Sequence, residues 1–151
     1  MTTIAAIVIA LAAAVAARAM RQSTVYVQAS ALHELVGSAS SVRTAEGYPT
    51  NLIPALRMAE MLPAEFTDPG GDYVIHAWNG AVRLTSSGSN DIALAVEALP
   101  SNACTALARS LSSTERYVVE AGGQHIPSGN GEAAAAACSG GTTILRLTIN
   151  S

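Results

Sequence analysis

A chain of 151 residues is one domain, or one domain with an appendage. Half of it is hydrophobic but only 4% is aromatic and 13% charged, so small and aliphatic side chains must build the core. The net charge of −3 is far from the basic profile of a phosphate-binding surface. All eight positive charges are Arg, which excludes a Schiff-base lysine, a Walker-type phosphate loop and a Ser-x-x-Lys nucleophile.

The chain opens with "MTTIAAIVIALAAAVAARAM", uncharged until Arg18 and Arg21 and free of Gly and Pro until Gly37. No Lys or Arg precedes the apolar run, and the A-x-A at Ala17–Ala19 carries Arg18, both against a cleaved signal peptide. As a membrane anchor, seventeen helical residues reach about 25 Å, the low edge of a bilayer span. Ala partitions weakly but lets helices approach closely, and Ala6, Ala10 and Ala14 recur at i+4. A segment weak as an anchor but good at packing on its own copies reads as an assembly element. The expected contact residues are Ile4, Ile7, Val8, Ala10, Leu11, Ala14 and Val15.

Val25, Ala29, Leu32, Val36 and Ala39 then form one apolar stripe at 4-3-4-3 spacing, with Gln22, Ser23, Gln28, Ser30, Glu34 and Ser38 mostly elsewhere. One helix is therefore predicted from about Thr2 to about Arg43, ended by Gly47-Tyr48-Pro49. Residues 1–21 are its assembly or membrane segment, and residues 22–43 its amphipathic half, which packs on a head of residues 44–151.

In the head, Thr50 or Asn51 is predicted to cap a short helix, "NLIPALRMAEML", with Pro54 in its first turn. "FTDPGG" reads as a turn. "DYVIHA" and "AVRLT" read as a hairpin through Trp78-Asn79-Gly80, and "SSGSND" as a loop. "DIALAVEA" alternates Ile92, Leu94 and Val96 on one face of a strand. Pro100-Ser101-Asn102 opens a helix with Cys104, Leu107 and Leu111 on one side. "RYVVEA" is a strand, "GGQHIPSGNGE" a glycine-rich surface loop, and "AAAAAC" either helix or extended connector. "TTILRLTIN" is a closing strand with Leu145, Leu147 and Ile149 on one face. The fold class is α+β: a long N-terminal helix on an antiparallel sheet with one or two short helices.

Candidate chemistry is sparse. His33, His76 and His125 are scattered without ligand spacing, so no metal site is expected. The expected use of Cys104 and Cys138 is one disulfide, which implies an oxidising compartment. No nucleophile has a base at recognisable spacing. His76 is expected at a surface or edge, facing away from Val74, and His125 exposed. His33 and Glu34, adjacent on a helix, do not face each other. Trp78 is expected to pack under the hairpin. Arg83 and Arg146 are expected on solvated faces or in salt bridges between subunits. No catalytic residue, cofactor or nucleic-acid partner is expected.

Taken together the residues resemble the type IV pilins, within them the type IVb group. "AARAMRQS" sits where the family's helix leaves its hydrophobic segment. "GYPTNLIPALRMAEMLPAEF" is similar to the turn, short helix and Leu-Pro step that follow. "YVIHAWNGAVRL" resembles the strand–turn–strand hairpin with its Trp. "IALAVEALPSNACTALARSL" and "ACSGGTTILRLTI" resemble the two cysteine-bearing stretches, the second with the closing strand. The resemblance implies a filament subunit of a Gram-negative bacterium. Its apolar half-helix sits in the inner membrane before assembly, then packs with many copies in a homo-oligomeric helical filament, the pilus or fimbrium. The disulfide-bonded head forms the outer surface, with the pilus assembly machinery and a host or cell surface as further partners. Family members usually carry Glu at the fifth residue; this chain has Ala5, and its apolar stretch is shorter. Either the first turns lie outside this sequence or the subunit docks without that carboxylate. A minor or tip pilin and a membrane-anchored periplasmic binding domain are the alternative readings.

Overall fold

The computed structural model describes residues 24–86, 91–140 and 143–149. Helix α1 covers 24–38 and runs into a 3-10 turn at Ala39–Val42. The chain is extended by Arg43, so the helix ends well before Gly47-Tyr48-Pro49. Three serines at 38, 40 and 41 explain the early stop. Ser side chains compete for helix carbonyls, and the Ser40 hydroxyl donates to the Gly37 carbonyl at 3.3 Å. The predicted start near Thr2 and the assembly residues Ile4, Ile7, Val8, Ala10, Leu11, Ala14 and Val15 lie outside the described residues.

Helix α2 spans Leu52–Met58, four residues shorter at its end than the sequence pattern suggests. Asn51 holds the N-cap position, but its side chain makes no capping bond; backbone bonds from this segment to the end of β2 fix the entry instead. The stop is a Schellman motif: the Met61 N–H reaches the Leu56 carbonyl at 2.9 Å and the Glu60 N–H that of Arg57 at 3.1 Å. Glu60 takes φ 56°, the left-handed position where glycine is the usual residue.

Six strands form one antiparallel sheet in the order β1-β2-β3-β6-β4-β5. They are β1 (Val74–Ile75), β2 (Ala81–Thr85), β3 (Ile92–Leu99), β4 (Tyr117–Ala121), β5 (Gln124–Ile126) and β6 (Thr143–Ile149). The predicted 86–91 loop falls mostly on residues outside those described. The β1–β2 hairpin forms with Asn79 at φ 64°, though β1 is shorter than the "DYVIHA" pattern. The predicted glycine-rich loop instead contains strand β5. Gly122 and Gly123, at φ 56° and 83°, make a two-residue turn whose twist matches a hairpin, so β5 folds back on β4. His125 accordingly sits on a strand opposite Glu120, and is exposed.

The alternating residues line up across the strands into apolar rows on one face. Leu84, Leu94, Leu147, Val119 and Ile126 are successive cross-strand partners, as are Val82, Val96, Leu145 and Ala121. A bulge between Val96 and Leu99, with Ala98 at φ 55°, inserts one extra residue in β3. It returns Leu99 to the buried face despite its odd spacing from Val96. Against this face lie α1, α2 and α3 (Ser101–Ser112), in one core cluster that joins Leu32 and Leu35 to Leu52, Leu56, Leu107 and Leu111. Helix α4 (Gly131–Ala137) settles the alanine run as helix, started by Asn130, whose Oδ1 accepts from the Ala133 N–H at 3.0 Å. The described head thus has three short helices rather than one or two.

Two stability changes follow. Leu147→Ala, at a fully packed position of the middle strand, should lower unfolding free energy by about 2–5 kcal/mol in urea titration. Glu60→Gly, which relieves a left-handed backbone without removing a hydrogen bond of the Schellman motif, should raise it by up to about 1 kcal/mol.

Candidate functional site

The seam between α1 and the head gathers the polar groups that the sequence scattered. The docking face of α1 buries Gln28, Ala29, Ala31, Leu32, Leu35 and Val36, and Ala39 of the 3-10 turn continues it. It is wider than the predicted stripe, because residues three and four apart on both sides of Leu32 share the contact.

Two hydrogen-bonded contacts fix how α1 lies on the sheet. His33 Nδ1 is 2.7 Å from the Tyr117 hydroxyl, and the two rings stack at 5.3 Å. Burial lowers the His33 pKa from its ordinary 6.5, and the nearby Arg116 guanidinium lowers it further. Burial raises that of Tyr117. The second contact is Gln28. Its side chain is 4% exposed, and its Oε1 accepts from the Ala77 N–H at 3.2 Å, at the tip of the β1–β2 hairpin. Sequence periodicity had put Gln28 off the apolar stripe. Its amide enters the seam because a partner backbone group waits there.

His76 is the clearest departure from the sequence reading. It follows the edge strand β1 but is only 4% exposed, because a residue two places from Val74 takes the same side of the chain as Val74 rather than facing away from it. Its Nδ1 accepts from the Trp78 N–H at 3.1 Å and its Nε2 lies 2.6 Å from the Glu97 carbonyl. Trp78 is half-buried against the core, tilted on His76 at 5.7 Å. Gly80 is required here: a Cβ would collide with the Glu97 carbonyl and the imidazole.

Opposite the docking face, Tyr26 is 75% and Val27 41% exposed, an apolar pair directed away from the head. Elsewhere, Cys104 and Cys138 are bridged, both without exposure, and tie α3 to the end of α4. Arg57 grips Asp68 with two bonds of 2.6 and 2.7 Å and also donates to the Gly71 carbonyl, which shapes the 59–73 loop. The hydrogen bond from Arg57 holds the Asp68 carboxyl below its usual range. Arg83 reaches Glu97 at 3.4 Å within the same chain and lies over the Tyr73 ring at 5.0 Å, while Arg146 is exposed on the outer sheet face beside Glu120. Among the described residues no group of three or more His, Cys, Asp or Glu could hold a metal ion, and no helix is long and apolar enough to cross a membrane. The arrangement can hold a helix on a sheet and offer that helix's far side to a neighbour.

A sequence family described as "PilS N terminal" matches residues 22–150. No curated protein sequence matches. Among solved structures, a type IVb pilin from Salmonella typhi is similar in fold, with a TM-score of 0.59 at 17% identity, over 85% of this chain and 94% of that one.

Two substitutions test the elements just described. Tyr117→Phe removes the hydroxyl from His33 and should cost about 0.5–1.5 kcal/mol in chemical denaturation. Cys104→Ser with Cys138→Ser releases a loop of 34 residues; the loss should be about 4 kcal/mol, read as a lower denaturation midpoint.

Proposed function

The chain belongs to the PilS family and shares the fold of a type IVb pilin, and on that premise we propose that it is a pilin that polymerises through its N-terminal helix into a type IVb pilus filament. The observation that carries this reading is the two-sidedness of α1. One side is spent on the head, and the other presents Tyr26 and Val27 to solvent, a few residues after the apolar opening run that ends at Ala17. An exposed apolar pair on the face opposite the packed one suits a partner outside the head. The small residues Ala10 and Ala14, with Ile4, Ile7, Val8, Leu11 and Val15, suit close packing of that helix on its copies.

In this proposal the subunit waits in the inner membrane of a Gram-negative bacterium, held by residues 1–21. The pilus assembly machinery then moves it into a filament core, and residues 44–151 form the outside, where adhesion, aggregation, motility or conjugation act. The disulfide suits that oxidising exterior. Nothing in the described head groups a nucleophile with a base, so the role proposed is structural.

Negative-stain microscopy of the intact, processed protein at physiological salt should show filaments. Monomers or dispersed micelles alone would sink the proposal. A low-abundance minor or tip pilin is the second reading within the same family. Quantifying this chain in sheared pili separates the two: a dominant band supports the major role, a trace band the minor one.

A further inference from the structure

We propose that His76 is an acid-sensitive latch: its neutral imidazole holds the tip of the β1–β2 hairpin against α1, and a second proton on the ring releases the tip. The argument starts from direction. A backbone N–H only donates, so the Trp78 N–H at 3.1 Å requires an unprotonated Nδ1. The one ring proton is therefore on Nε2, where it is donated to the Glu97 carbonyl at 2.6 Å. A second proton must go to Nδ1 and would point at the Trp78 N–H. Turning the ring over does not help, because an imidazolium donates from both nitrogens and one of them still meets that N–H.

The surroundings offer no compensation. From its own turn His76 faces the Trp78 ring at 5.7 Å and Gly80, whose missing Cβ is what makes room for the imidazole. From β3 it faces the Glu97 carbonyl, while the Glu97 carboxylate is engaged by Arg83. From α1 the nearby polar group is Gln28, which is neutral and already bonded to Ala77. The ring is thus buried with both nitrogens on backbone groups, and among the described residues no carboxylate is bonded to it to stabilise a cation.

Ala77 lies between His76 and Trp78. Displacing the Trp78 N–H to relieve a protonated ring therefore shifts the Ala77 N–H, which is bonded to Gln28. Proton uptake at one side chain is passed by the backbone to a polar contact that docks α1. The other contact responds differently. His33 faces a Tyr117 hydroxyl, which can turn from donating to accepting, so protonation leaves that bond makeable.

Burial lowers the His76 pKa from its ordinary 6.5, only partly offset by the bond to the Glu97 carbonyl. Below about pH 6.5 the unfolded chain takes up a proton that the folded one resists, so unfolding gains protons and stability falls with pH. Above that pH both states are neutral and the stabilisation is complete.

The latch needs only contacts within one subunit and goes beyond filament formation. The test uses the full chain in detergent micelles, titrated from about pH 7.5 to about pH 5. Two signals are followed: emission of Trp78, the chain's one tryptophan, and amide-exchange protection of Ala77 and Trp78, corrected for intrinsic pH dependence. Both should change together, with a midpoint below the ordinary histidine value and a loss of protection of about tenfold or more. The step should vanish in His76→Asn and His76→Gln and persist in His33→Gln. Should the His76 variants fail to fold, nitrogen shifts of the wild-type ring decide: an unprotonated Nδ1 at neutral pH, then a cation forming in step with the lost protection, supports the latch. Flat protection across the titration, or a step that disappears with His33 instead, overturns it. A subunit that never polymerises still gives these signals, so this inference and the filament proposal fail separately.

Discussion

The position of β6 is the constraint on which the head depends. The last strand of the chain lies between β3 and β4, so the sheet is one object only once the C-terminal residues have been inserted. Before that, β1–β2–β3 is one antiparallel block and β4–β5 another, and neither has its apolar rows complete. Leu145 and Leu147 link Val96 and Leu94 on one side to Ala121 and Val119 on the other. Such pairings close long loops before they return contact energy, which makes them slow to form. The Cys104–Cys138 bridge bears directly on that problem. It anchors α4 to α3 just before β6 starts and so limits how far the strand must search.

The seam between α1 and this sheet meets a different requirement. A helix face made largely of alanine and leucine can pack at several offsets with similar burial, since apolar contact has no direction. Polar contacts remove that degeneracy. Gln28 fits only where the Ala77 N–H lies, and His33 only where the Tyr117 hydroxyl lies. Each would leave a buried group unpaired at any other offset, a penalty larger than the net gain of the bond itself. An aromatic content of 4% makes this more than a detail, because few large side chains exist to key the packing by shape.

Parts of this were legible beforehand. The period-two runs at Ile92–Val96 and Leu145–Ile149, and the face of Cys104, Leu107 and Leu111, state their own burial, since the side-chain spacing of strand and helix is fixed by backbone geometry. Other parts were misread for identifiable reasons. Gly122-Gly123 is a hairpin signal, but it looked like loop because the strand after it is only three residues. α2 stops at Met58 through a left-handed Glu60, a residue that gives no warning of such a turn. Ser38, Ser40 and Ser41 end the regular helix earlier than the glycine and proline that looked like its terminator.

By itself the amino-acid sequence determined the apolar opening segment, the amphipathic stretch after it, most of the strands and the α+β class, because each follows from local periodicity and charge. Only the tertiary structure decided where β6 goes, that His76 and Gln28 turn inward, and which side of α1 remains free. Those outcomes depend on partners far apart in the chain: Gln28 meets Ala77, His33 meets Tyr117 and β3 meets β6. A hydrogen bond or a strand pairing is a property of two positions, and periodicity along one segment carries no record of the other.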